Sequence, residues 1–262
     1  MKILVLTGSN RRHGNTDQIL AQIAAHLRTE AERCGTPLEI ETVLLGQQDL
    51  RFCRGCRLCY DRGEDHCPVK DDLPALKAKM QAADGIVLAS PVYVDDVSGI
   101  TKAFIDRLCH LCHRPEFASK AAILVATTGS SPTSKTLGTM KLALRTWGFY
   151  IAGQSGFKMG VLMKPAETRQ RFDAQTGAIA HRLFQAIETQ AYRRPGFYAL
   201  MMFKIQQHFW QTEGVPGTPD YDYWLNQGWF DPKQTFYIPH TANPVKVALA
   251  RLTGALISRF VS

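Results

Sequence analysis

No apolar run in this 262-residue chain approaches the roughly 20 residues that a bilayer-spanning helix needs. The N-terminus passes straight into a strand pattern without a signal-cleavage signature, so a cytoplasmic location is expected. Two familiar phosphate loops are missing as well. The glycines behind the first apolar run do not fit G-x-G-x-x-G, and no Lys-Ser/Thr pair follows Gly14 as a P-loop requires. No RNA- or DNA-binding motif accompanies the net charge of +8, so nucleic acid is not an expected partner. That charge suits phosphorylated cofactors, acidic proteins or a lipid surface. There is no internal repeat and no low-complexity segment. The seven cysteines come without a secretion signal, which argues against a disulfide framework.

What is present begins at Thr7–Thr16. The run Ile3-Leu4-Val5-Leu6 reads as a strand buried on both faces. Ile19, Leu20, Ile23, Ala24 and Leu27 then recur at helical spacing. A polar turn between such a strand and such a helix gathers free backbone amides at the positive end of a helix dipole, which favours a phosphate. Gly8 and Gly14 permit close approach, Ser9, Asn10, Asn15 and Thr16 offer side-chain donors, and Arg11 and Arg12 add charge. The plainer alternative is a strand-to-helix turn capped by Asn15 or Thr16.

Further strands are predicted at 38–44, 85–89, 121–126 and 149–152, with helices at about 73–82, 100–111, through Met140, Leu142, Leu144 and Trp147, and at 168–189. Gly35 suits a left-handed helix cap. Strands alternating with helices imply βαβ units and a doubly wound, five-stranded parallel sheet. In such a sheet the ligand lies beyond the carboxyl ends of the strands. Three polar loops fall there: 8–16, 90–99 and 127–131. Ser90-Pro91-Val92-Tyr93 can also be read as a strand end closed by proline. Lys102, Asp106 and Arg107 sit at salt-bridge spacing on the helix that follows, which makes them structural.

A polar loop from 47 to 72 carries Cys53-x2-Cys56-x2-Cys59-x7-Cys67-Pro68. Soft thiolates at this spacing favour an iron–sulfur cluster or zinc over hard cations. Three close cysteines plus a distant one before proline look more like a ferredoxin arrangement than the paired ligands usual for zinc. A zinc site using His66, or free thiols, stays open. Cys109-x2-Cys112, interleaved with His110 and His113, ends an apolar helical face through Phe104, Ile105 and Leu108, which favours buried structural cysteines.

From about Arg193 the composition becomes aromatic and methionine-rich, with Phe197, Tyr198, Met201, Met202, Phe203, Phe209, Trp210, Trp224 and Trp229. The segment from Asn243 to Phe260 contains Lys246, Arg251 and Arg259 and no acidic residue. A basic amphipathic helix of this kind lies on a membrane surface or packs on its own domain or a partner subunit, and packing is the expectation. The expected division is a domain at 1–192 and an extension at 193–262.

Together, the run Gly8–Thr16, the run Ser90–Tyr93 followed by Ser98–Arg107, and the clustered cysteines resemble the NAD(P)H-dependent FMN reductase family. More narrowly, they resemble its iron–sulfur flavoprotein branch, over roughly residues 1–190. The resemblance implies a flavodoxin-like fold with a helical, aromatic-rich C-terminal extension. It implies FMN held by Ser9, Asn10, Arg11, His13, Gly14, Asn15 and Thr16 at the phosphate. Pro91, Val92 and Tyr93 would lie against the isoalloxazine, and Thr127, Thr128, Gly129 and Ser130 at its polar edge or ribityl chain. It further implies a 4Fe-4S cluster on Cys53, Cys56, Cys59 and Cys67, with NAD(P)H or a redox protein as electron donor and a homodimer or homotetramer as the assembly. A flat amphipathic ring suits an apolar wall with a few backbone donors beside it. No side-chain acid, base or nucleophile is then required for catalysis. The alternatives in other classes are a flavodoxin-like electron carrier without small-molecule turnover and a zinc-stabilised scaffold without flavin.

Overall fold

The computed structural model describes residues 1–160 and 163–259. Strand β1 (Lys2–Thr7) leads into α1 (Asn15–Cys34), then β2 (Glu39–Leu44), the short α2 (Leu58–Asp61) and α3 (Leu73–Ala82). Next come β3 (Gly85–Tyr93), β4 (Asp96–Val97), α4 (Gly99–Arg107), β5 (Ala121–Thr128), α5 (Ser134–Thr146), β6 (Tyr150–Lys158) and α6 (Pro165–Glu188). The extension supplies α7 (Phe197–Thr212), α8 (Pro219–Asn226) and α9 (Pro244–Ser258). Phe260, read above as part of the last amphipathic segment, lies outside the described residues.

The sheet order is β2-β1-β3-β5-β6, parallel throughout, with β4 added antiparallel to the end of β3. This is the doubly wound α/β fold expected from the alternation of strands and helices. The chain reverses its direction of travel across the sheet between β1 and β3, and the strand ends there flank a crevice. Both faces are apolar because successive residues of each central strand point opposite ways. Ile3 and Val5 join Ile19, Ile23, Leu183 and Phe184 beneath α1 and α6. Leu4 and Leu6 join Phe104, Leu144 and Trp147 on the opposite face.

Three local differences have physical causes. The last strand runs to Lys158 because pairing with β5 carries the polar stretch Gly153-Gln154-Ser155-Gly156 along. The helix expected to reach Leu111 stops at Arg107. Leu108 leaves helical geometry there, and a separate 3-10 turn covers Cys109–Cys112. Leu142, counted among the apolar positions of α5, is exposed.

The extension builds its own core from Leu200, Phe203, Trp210, Trp224, Trp229, Phe236 and Ala250. Much of its large aromatic surface is therefore covered within the chain. Apolar surface that stays uncovered includes a stripe on α9, where Val245, Leu249, Leu252 and Leu256 face outward, together with Phe197, Tyr198, Phe209 and Leu225. The opposite side of that helix carries Ala250 and Gly254, small enough for α7 to approach, since a Cβ on Gly254 would lie 2.9 Å from the Met201 carbonyl oxygen. The extension docks beside the cysteine-rich loop. The Trp224 indole donates to the His113 carbonyl at 2.8 Å, Tyr223 to that of Pro115 at 2.9 Å, and Gln206 to that of Cys112 at 3.0 Å.

Candidate functional site

The three polar loops meet at one edge of the sheet. Gly8 donates its amide to the Ala89 carbonyl at 2.9 Å and accepts from the Ser98 hydroxyl at 2.9 Å, which ties the first loop to the second. The Thr16 and Thr127 hydroxyls share a buried 2.7 Å hydrogen bond that ties the first loop to the third. Ser90 closes the group by accepting from the Ser98 amide at 2.9 Å. Only glycine fits at position 8, because a Cβ would sit 1.8 Å from Thr101 Oγ1.

The first loop leaves a helix start open. Gly14 is the N-cap of α1 and supplies no side-chain acceptor. The first-turn amides of Asn15, Thr16 and Asp17 have no intrahelical acceptor. Neither Asn15 nor Thr16 caps the helix, which removes the plainer reading of the turn. Their side chains instead join loops: Asn15 contacts the Gly160 carbonyl at 3.4 Å and accepts from the Met163 amide at 3.2 Å. The donors facing a ligand are thus backbone amides more than the Asn15 and Thr16 side chains. Ser9 is buried and accepts from the Arg11 amide, while Asn10, Arg11 and His13 are exposed at the rim. His13 has a left-handed backbone (φ 60) and its amide is held by Asp17 at 2.8 Å.

The second loop is a hairpin that the sequence pattern did not reveal. Val92 pairs with Val97 and Tyr93 with Asp96, leaving Val94 and Asp95 at the tip with φ of 49 and 60. A β-branched residue in that region is strained, and such strain concentrates at binding sites. Val94 is 99% exposed and Tyr93 48%, so an apolar wall stands open beside Pro91 and Val92. In the third loop Thr127 and Thr128 are buried, and Gly129 and Ser130 are exposed. The carbonyls of Thr128 and Gly129 accept from the amides of Met159 and Gly160.

The cysteine-rich loop begins next to this edge. Arg12 donates to Gln47 at 3.1 Å, and Asn10 packs over Gly46. Cys53, Cys56, Cys59 and Cys67 all line one cavity of about 410 Å³, with Cys109 in the same wall. Gly55 and Arg57 take left-handed backbones that curl the loop, and the Gly55 amide donates to Cys53 Sγ at 3.4 Å. Arg107, described above as structural, fastens the loop from beneath. Its buried guanidinium pairs with Asp71, donates to the carbonyls of Arg51 (3.1 Å) and Val69 (3.3 Å), and reaches Cys67 Sγ at 3.8 Å. Burial opposes ionisation of Asp71, but Arg107 and the Arg51 and Leu73 amides outweigh it and hold the carboxyl below its ordinary value. Burial and the neighbouring Cys109 thiol push Cys59 up to about 12.

Four thiols, an amide and a guanidinium directed at sulfur make a donor set that fits an anionic thiolate-bound centre. Thiolates on one zinc lie about 3.8 Å apart. Among the described residues, the one trio of ligand-type groups within 4.8 Å of one another is Glu64, His110 and Glu116, with no cysteine in it. The Lys77 ammonium already bridges its two carboxylates at 3.0 and 2.6 Å, and Arg114 reaches Glu64 at 3.0 Å. Burial pushes His110 down to about 4, so the imidazole between them is neutral at pH 7. Cys109 and Cys112 are half-buried around Tyr60 and the extension, not sealed in the core as the helical pattern suggested.

Residues 1–160 match the family model described as NADPH-dependent FMN reductase. An iron-sulfur flavoprotein of Archaeoglobus fulgidus is 28% identical over 229 residues, covering 87% of this chain and 99% of its own length. An iron-sulfur flavoprotein of Methanosarcina thermophila is 32% identical over 171 residues, covering 64% and 85%. Among solved structures, a flavone reductase shares the fold with a TM-score of 0.54 at 17% identity, over 72% of this chain and 63% of that one. Among the described residues no helix is long and apolar enough to cross a membrane.

Proposed function

Because the chain belongs to the NADPH-dependent FMN reductase family, in its iron–sulfur flavoprotein branch, we propose that its three joined loops hold FMN and its cysteine-rich loop a 4Fe-4S cluster. The chain is an FMN-dependent oxidoreductase. The observation that carries the site assignment is the pair of hydrogen bonds, Ser98 to Gly8 and Thr16 to Thr127, that join the loops at the strand-order reversal.

The open amides at the start of α1, with Ser9 and Arg11, take the phosphate. Asn10 and His13 border it, and Gly14 leaves the helix start uncovered. Pro91, Val92 and Tyr93 form the wall for the ring, and Thr127–Ser130 its polar edge. FMN held there would supply the capacity to take hydride from a nicotinamide and to release electrons one at a time. The protein orients the ring and shields it. Cys53, Cys56, Cys59 and Cys67 are the cluster ligands, supported by soft donors sharing one cavity and by the names of the relatives. NAD(P)H or a redox protein is the donor. Residues 1–192 form the FMN-binding domain and 193–262 the extension. The assembly is a homodimer or homotetramer that buries the leucine stripe of α9, and light scattering of the holoprotein at micromolar concentration tests it by reporting mass.

Anaerobic mixing of the flavin-loaded protein with NADPH or NADH tests the enzymatic reading. Rapid bleaching of the flavin band is the expected result. A flavin that stays oxidised with both nucleotides but accepts electrons from a reduced protein carrier would make the chain an electron carrier instead.

A further inference from the structure

We propose that the seam between α5 and α7 is a binding site for a small planar aromatic carboxylate. The site is a cavity of about 280 Å³. One side of it comes from the sheet domain, through Lys141, Arg145 and Phe149, and the other from the extension, through Tyr198, Met202 and Phe236. The residues 148–151 line it where β6 begins, so it lies at the amino ends of the strands, across the sheet from the three joined loops. It is independent of the flavin and the cluster.

Charge selects an anion. Lys141 and Arg145 are four residues apart on α5 and so share one face of that helix. Neither meets a carboxylate among the described residues. Lys141 has no polar partner there, and Arg145 only lays its guanidinium over the Tyr198 ring, 4.0 Å from the centroid. No Asp or Glu lines the cavity. The carbonyls at the close of α5 are taken up as well, since those of Ala143, Leu144 and Arg145 accept from the amides of Trp147, Phe149 and Gly148. Two unpaired cations beside one cavity favour an oxyanion.

The walls select a flat ring behind that anion. Phe149 and Phe236 are buried and Met202 is half-buried, and aromatic and thioether surfaces favour a polarisable planar body. Stacking on Tyr198 uses the face of the Arg145 guanidinium and leaves its N–H edge for a carboxylate, while Lys141 supplies a point charge. The half-buried Tyr192 hydroxyl, without a partner among the described residues, offers one further donor. The volume lies just under the roughly 300–1,000 Å³ of ordinary ligand pockets, which suits one or two rings and excludes a dinucleotide.

Calorimetric titration of the anaerobically purified full-length protein with 2-naphthoate tests this, with uncharged 2-naphthamide as the control. The expected result is saturable binding of one naphthoate per chain, with naphthamide at least about tenfold weaker, as the loss of a charge-assisted bond implies. Flavin released into the filtrate should not rise as naphthoate binds. Lys141→Gln and Arg145→Gln should each weaken naphthoate by about the same tenfold factor. Arg145→Gln also removes the contact with Tyr198, so Lys141→Gln, whose ammonium has no partner to lose, is the deciding variant and should leave naphthamide unchanged. The proposal is overturned if naphthoate fails to saturate at millimolar concentration, if naphthamide binds as tightly, if flavin leaves as naphthoate binds, or if Lys141→Gln binds naphthoate like the unmodified protein.

Discussion

The hydroxyls of Thr16 and Thr127 share a hydrogen bond of 2.7 Å across 111 residues of sequence. The first sits in the opening turn of α1 and the second near the end of β5. Their contact brings the open amides of one loop beside the polar stretch of another, so the proposed FMN site is a single surface. Because both atoms are buried, removing one leaves the other without its partner.

Thr16→Val should therefore weaken FMN binding through position and leave the backbone donors intact. A buried hydroxyl left unpaired costs about 1–3 kcal/mol, which corresponds to about thirtyfold in affinity near the middle of that range. Quenching of flavin fluorescence during titration of the metal-replete protein measures it. Arg11→Ala, at the exposed rim, should cost less.

Gly8→Ala should destabilise the whole edge. The added methyl would lie 1.8 Å from Thr101 Oγ1 and 2.6 Å from Ser98 Oγ, so the second loop must shift. Overpacking of this kind costs about 1–3 kcal/mol, or roughly 3–10 °C in melting temperature for a chain of this size. Thermal denaturation followed by circular dichroism reads the change.

Asp71→Asn should loosen the cysteine-rich loop. It leaves the Arg107 guanidinium buried without its counter-ion, a loss that costs about 3–5 kcal/mol at buried pairs. The loop should then be cut faster by trypsin at Arg54 and Arg57, and the urea midpoint should fall. Cleavage at an unchanged rate would show that the loop is held elsewhere.

The His113–Asp220 contact should make stability fall on the alkaline side. His113 is raised to about 9, so the folded state binds its proton more tightly than the unfolded chain. That contribution is complete below an unfolded value of about 6.5 and is lost as pH rises through about 9. The unfolding midpoint of the native protein should decline across this window. His113→Gln should remove that part of the slope.

The sheet was legible in the sequence because its strands announce themselves as uninterrupted apolar runs, Ile3–Leu6 and Ala121–Ala126 among them, each followed by a polar turn. The meeting of the three loops followed from parallel topology alone. Other features were not legible. Nothing local marks Val94 as a residue with positive φ, since its strain is imposed by the pairing of Tyr93 with Asp96. Arg107 looked like a surface partner of the helix carrying Lys102 and Asp106. Its burial depends on Asp71, 36 residues away in sequence. The contacts of His113 with Asp220 and of Arg114 with Cys59 and Asp220 join three distant segments, and such long-range pairings leave no periodicity to read.

We propose FMN at the joined loops and an iron–sulfur cluster at the cysteine-rich loop of one chain. Absorbance spectroscopy with flavin, iron and sulfide analysis of anaerobically purified protein tests it most directly. The expected result is one FMN per chain, with four irons and four sulfides per chain that disappear in Cys53→Ser while the FMN stays. Colourless protein that takes up no FMN on reconstitution, or holds zinc in place of iron, would contradict it.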